Sequence, residues 1–152
     1  MKAKPAQETI DFVVTILFTR NGPRGIEFLV MHTPLTPTRY FLFRKKLAEK
    51  ETPESFCLEI TRSVGIENCL QGFYQFLDEE ALELQQVFVV NISRADEQVV
   101  QKVIISSIWI DITHATKHNE RYFSYDFAVL EEFQVWKAEM SNARKTLPTH
   151  LH

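Results

Sequence analysis

The chain predicts an α/β sandwich. Three observations carry that fold class: six β-rich apolar stretches, two helical patterns set among and after them, and no repeat, low-complexity tract or internal linker within 152 residues. At 45% apolar and 24% charged, a chain of this length fills one globular domain with its own core. The domain is expected to span residues 9–142, between mobile tails at 1–8 and 143–152.

The first two strands are "IDFVVTILF" (Ile10 to Phe18) and "GIEFLVMHT" (Gly25 to Thr33), and the turn "RNGPRG" between them predicts a hairpin. "RYFLF" (Arg39 to Phe43) reads as a third strand. A helix follows over 53–64, because Thr52 can cap it, Pro53 fits its first position, Glu54 suits the positive end of its dipole and Gly65 supplies a left-handed stop. Phe56, Ile60 and Val64 lie a turn apart and should face the core, whereas Glu59, Arg62 and Ser63 share a different face at i, i+3 and i+4. "GFYQFL" (Gly72 to Leu77), "LQQVFVVNI" (Leu84 to Ile92) and "KVIISSIWIDI" (Lys102 to Ile112) complete the strands. The last element is a helix over Asp126 to Ser141, with Phe127, Leu130, Phe133, Val135 and Trp136 gathered mostly on one side.

Composition excludes several function classes. No apolar run approaches the roughly 18 residues of a spanning helix, and "MKAKPAQETID" lacks the apolar stretch of a secretory leader, so a cytoplasmic protein with no membrane association is expected. A net charge of −3 exerts no general pull on nucleic acid. Cys57 and Cys69 lie outside any C-x-x-C pair and suit a reducing compartment, Cys57 as a buried thiol. His114 and His118 have the spacing of a metal pair, but with no acid between them and no third ligand they read as a surface turn. Asp78, Glu79, Glu80 and Glu83 form a solvated connection, while Trp109, Tyr122, Phe123 and Tyr125 either stack a base or anchor a helix to the sheet. There is no Ser-His-Asp arrangement and no phosphate-binding glycine loop.

The stretch "LFRKKLAEKETPESFCLEITRSVGI" carries most of the functional information. It resembles the signature of the Nudix hydrolase superfamily, G-x5-E-x7-R-E-U-x-E-E-x-G-U. In that alignment Leu42 and Phe43 stand at the leucine and proline preceding the signature, Arg44 and Lys45 at the paired glycines, and Glu51 to Glu54 at "ETPE". After one deleted residue, Leu58 stands at the arginine, Glu59 at the first glutamate and Arg62 and Ser63 at the paired glutamates, with Gly65 and Ile66 closing the motif. "IWIDITHAT" and the terminal helix extend the resemblance over roughly residues 9–142. The resemblance implies an α/β/α sandwich with a mixed sheet.

It also implies a site whose chemistry has changed. In the family the helix glutamates hold divalent cations, usually magnesium, that bridge a diphosphate and activate water. Only Glu59 remains, and Arg62 stands where a ligand belonged. A +1 charge about 5 Å from a +2 ion costs roughly 6 to 7 kcal/mol at an effective dielectric near 20. Arg44, Lys45 and Lys46 meanwhile bring three cations to what should be a loop beside the pocket, where they can hold phosphate without metal.

Three readings stand open. In the first, which is the one expected, a nucleotide or another phosphate-bearing small molecule binds through Arg44, Lys45, Lys46 and Arg62, with no cofactor and little or no hydrolysis. The second is a divergent nucleoside diphosphate-linked pyrophosphohydrolase, with Mg2+ held by Glu59, its catalytic residue, and by Glu51, Glu54 and Glu97. A scaffold for a protein partner, a second copy of the chain included, is the third.

Overall fold

β1 (Asp11–Gly22) organises the molecule, because all other strands but three pair with it directly. The computed structural model describes residues 9–23, 25–66, 70–92, 97, 100 and 106–146. Along one edge β1 pairs in parallel with β6 (Glu83–Asn91), from Asp11↔Glu83 to Thr19↔Asn91. Its other edge is shared. Thr19 to Gly22 pair antiparallel with β2 (Gly25–Thr33), and Val13 to Ile16 pair antiparallel with β4 (Phe43–Lys46). β3 (Thr36–Phe41) and β7 (Ser107–Asp111) pair with β2, and β5 (Leu70–Asp78) lies outside β6. The result is a seven-stranded mixed sheet whose main path runs β3-β2-β1-β6-β5.

Apolar residues on both faces of β1 explain the two layers. Val14, Ile16 and Phe18 point to one side, where they join Phe88 and Val90 of β6 and Phe56, Cys57 and Val64 of α1 (Pro53–Val64). Leu17 points to the other, with Val87, Val89 and Val129, Leu130 and Phe133 of α3 (Ser124–Thr146). α2 (Ile112–Lys117) adds Ala115 to that second core. An α/β/α sandwich with a mixed sheet is therefore what the chain forms. Fully burying side chains such as Phe18, Phe28 and Phe133 contributes about 1.5 to 3 kcal/mol each, and Phe28 meets Phe133 edge-on at 5.1 Å between centroids.

α1 has the bounds its local signals predict. Thr52 Oγ1 accepts from the Ser55 N–H at 3.1 Å, Ser55 returns the bond to the Thr52 N–H, and Gly65 closes the helix at φ 83°. Its buried face is Phe56, Cys57, Thr61 and Val64, with Ile60 half-buried against the same core. Burial pushes the Cys57 thiol up, so it stays protonated.

Four expectations need correction. The third strand is two strands, since Leu42 is buried where the chain passes from the β2 partner to the β1 partner. Arg44 to Lys46 form β4 rather than a loop, because without glycines the segment has no reason to turn and β1 offers an unpaired edge there. The last strand shortens to Ser107–Asp111, Ile112 already belonging to α2 and residues 101–105 lying outside those described. α3 runs from Ser124 to Thr146, so residues 143–146, expected in the tail, are helical. Residues 1–8 and Cys69 lie outside the described residues. No helix among those described is long and apolar enough to cross a membrane.

α3 docks closely on β5. Tyr74 donates to the Val129 carbonyl at 2.7 Å, and a side chain at Gly72 would overlap the Trp136 ring. Gly72→Ala is therefore expected to destabilise the protein by about 1 to 3 kcal/mol. Urea unfolding measures it, and adding Trp136→Leu should recover part of the loss; a neutral Gly72→Ala would mean that α3 is not seated this closely.

Candidate functional site

Alternation along β4 separates the three cations. Lys45 is opposite Val14 and points to the α1 side, whereas Arg44 and Lys46 are opposite Thr15 and Val13 and point to the α3 side. On the α1 side Lys45 Nζ donates to Glu51 Oε2, whose other oxygen accepts the Ala48 N–H at 2.9 Å. The hydrogen bond it donates to Glu51 raises the Lys45 ammonium above its ordinary value, and the field of Glu59 adds to it. The same bond holds the Glu51 carboxyl below its usual range. Lys45 also lies 5.7 Å from the Phe56 ring centroid, and its side chain remains 41% exposed.

On the α3 side, Arg44 donates to Glu83 at 3.0 Å and stacks over Tyr125 at 3.8 Å from the ring centroid. Lys46 pairs with Asp11 at 2.9 Å. Beneath Arg44 lies Asp126, 1% exposed, which accepts the Leu42 N–H. Burial pushes its carboxyl up to about 7, against the opposing pull of Arg44 and the Leu42 N–H. Its Oδ1, Thr15 Oγ1 and Gln85 Oε1 are buried with no hydrogen-bond partner among the described residues. This polar cluster is not visible in the sequence, where Asp126 reads only as an acid at the start of a helix.

Glu59, Arg62 and Ser63 are all exposed on α1, and they share the outward face expected of them. Glu54 lines a cleft with Cys57, Leu58, Leu70 and Phe88. Glu97 pairs with Arg20 at 3.4 Å. Arg20 lies roughly 20 Å along β1 from Val14, the residue facing Lys45, at about 3.3 Å per residue. The structure thus groups Lys45 with Glu51 and Glu59, and it does not bring Arg44, Lys46 or Glu97 to them.

These residues do not fit a divalent cation. Both Glu51 oxygens are engaged, Glu97 is held by Arg20, Glu54 opens on a mostly apolar cleft, and Glu59 shares its face with Arg62. A hard ion needs several free oxygens converging from one side. Among the described residues no three His, Cys, Asp or Glu side chains converge. His114 and His118, expected in a surface turn, belong to α2 and its C-cap, their ring centroids 4.6 Å apart. Of the aromatic residues, Tyr122 is buried in the core and Phe123 stacks on Tyr125 at 5.2 Å.

No protein-family model and no curated protein sequence matches the chain. Solved structures do. An Ap4A hydrolase from C. elegans matches with a TM-score of 0.57 at 14% identity, over 84% of this chain and 98% of that one. The same C. elegans enzyme as a binary complex gives 0.56 at 14% identity over the same shares. A mutT/nudix family protein from Listeria innocua gives 0.53 at 11% identity, also over 84% and 98%. At these identities the likeness is one of fold: the chain has the Nudix fold.

Asp126 makes stability depend on pH. Its ordinary value is 3.8 and its folded value about 7, so between these the folded protein keeps a proton that the unfolded chain releases, and stability falls as pH rises through that window. Asp126→Asn cannot ionise and should gain on the wild type from pH 4 to pH 8, by an amount on the order of 3 kcal/mol. Urea midpoints across that range check it; parallel pH profiles for the two proteins would mean that Asp126 is ionised in the fold.

Proposed function

We propose that this Nudix-fold domain binds a nucleotide or another phosphate-bearing small molecule at the β4–α1 face, without metal and with little or no hydrolysis. The observation that carries the reading is the placement of Lys45, whose ammonium lies against Glu51 and in the field of Glu59. A divalent cation at that face would meet this ammonium and Arg62, one turn beyond Glu59. A phosphate would be drawn by these two cations, against the charge of Glu59. The Lys45 ammonium has three donors, and its bond to Glu51 uses one. Lys45 and Arg62 are the residues that would contact the ligand, Lys45 as a point charge and Arg62 through its planar fork. Arg44 and Lys46, on the other side of β4, would act on a ligand that reaches round the strand, in competition with Glu83 and Asp11.

The C. elegans neighbour is an Ap4A hydrolase, which makes Ap4A the first compound to test. Thermal melts with Ap4A and with nucleoside diphosphates should show stabilisation equal with and without magnesium, since a ligand that binds only the folded state raises Tm by mass action. Lys45→Gln should reduce that shift at least threefold and flatten its salt dependence while the unliganded Tm barely changes. A shift that requires magnesium, accompanied by release of a nucleotide product, would replace this reading with a metal-dependent hydrolase. No shift with any compound would reject ligand binding.

A further inference from the structure

The two faces of the sheet are covered unequally. On the α3 side, Gly72, Tyr74 and Phe76 of β5 lie under α3, with Tyr74 and Trp136 stacked at 5.7 Å. On the other side, α1 and Val100 pack with the β1 and β6 residues of that core, and among the described residues β5 is left open. Five of the large apolar side chains that remain exposed fall there: Phe12, Leu58, Leu70, Phe73 and Leu77, each 41 to 51% exposed.

Register makes these residues one surface. Phe12 and Leu77 both pair with Leu84, forming a row across β1, β6 and β5. Phe73 pairs with Phe88, their rings 4.9 Å apart, and Leu70 pairs with Val90. Leu58 of α1 forms the opposing wall of a cleft of about 260 Å³ floored by Phe88 and Leu70. A second cleft of about 440 Å³ continues past Phe12 and Gln86 toward the turn before α1. A contiguous apolar strip of this kind, on a protein that is 24% charged, marks a surface made to be covered.

Its border is acidic. Glu49 and Glu54 line the two clefts, as does Glu51, whose charge Lys45 offsets. Glu79 and Glu80 stand exposed in the turn next to Leu77, and Lys50 is the cation nearest in sequence to the clefts' acidic wall. Two copies meeting through this face would oppose acid to acid, and an anionic lipid surface would do the same. The complementary occupant is basic. From Leu70 to Leu77 the floor runs about 23 Å, the length of a helix of about 15 residues.

We propose that the β5–β6 side of α1 is a docking groove for a basic amphipathic helix of a partner protein, its apolar stripe on Phe73, Leu77 and Leu58 and its lysines or arginines over Glu49, Glu54 and Glu80. The contacts proposed on Phe73, Leu77 and Leu58 do not include Lys45 or Arg62, the residues of the phosphate-ligand reading.

A labelled 16-residue peptide of leucine and lysine in helical spacing, and its leucine and glutamate counterpart, test this by fluorescence anisotropy. The lysine peptide should bind with micromolar Kd and the glutamate peptide at least 30-fold more weakly. Leu58→Gln with Phe73→Gln should weaken the lysine peptide at least tenfold while Tm is kept, and Leu77→Gln alone gives the same reading if the double variant unfolds. Equal affinity for both peptides, binding of neither, or binding that ignores these substitutions would overturn the proposal. So would a dimer in sedimentation that the same substitutions abolish, since the occupant would then be a second copy.

Discussion

Pairing of β4 with β1 decides where every charge of the candidate site goes. A strand sends successive side chains to opposite faces, so fixing Lys45 opposite Val14 also fixes Arg44 and Lys46 on the other side. Three consecutive cations therefore do not form one cationic cluster. Lys45 meets Glu51 and the Phe56 ring beside α1, and Arg44 and Lys46 meet Glu83, Tyr125 and Asp11 beside α3. Such partly exposed pairs add little to folding. Their effect is to position charge, whereas stability comes from the two apolar cores that β1 separates.

The same sheet explains why the two sides differ in chemistry. α3 is 23 residues long and covers β5, and the polar groups it traps include an aspartic acid that stays protonated toward neutral pH. On the face of α1, which has 12 residues, an apolar strip stays exposed among the described residues. α1 itself carries Glu54, Glu59 and Arg62, and Lys45 of β4 reaches Glu51 just before it.

Much of this was legible in the sequence, and the limits have physical causes. α1 was readable to the residue because its start and stop are local: Thr52, Pro53 and Gly65 act within one turn of themselves. The face shared by Glu59, Arg62 and Ser63 followed from helical period alone. The division of the third strand at Leu42 was not readable, since it depends on β1 lending different stretches of one edge to β2 and β4. Reading Arg44 to Lys46 as a loop carried over the turn that paired glycines make in the Nudix signature, where this chain has none. Asp126 and Glu83 entered the site through contacts with Arg44 that join distant parts of the chain, and no local pattern announces them.

Titrating Mn2+ into the wild-type protein and reading the free ion by electron paramagnetic resonance asks directly whether the Lys45 ammonium and Arg62 have taken the place of a divalent cation on α1. At millimolar Mn2+ the spectrum should remain that of the free ion, and the double variant Arg62→Glu with Ser63→Glu, which sets three acids at i, i+3 and i+4 with Glu59, should remove Mn2+ from it. Stoichiometric Mn2+ binding by the wild type that disappears in Glu59→Gln would contradict the account.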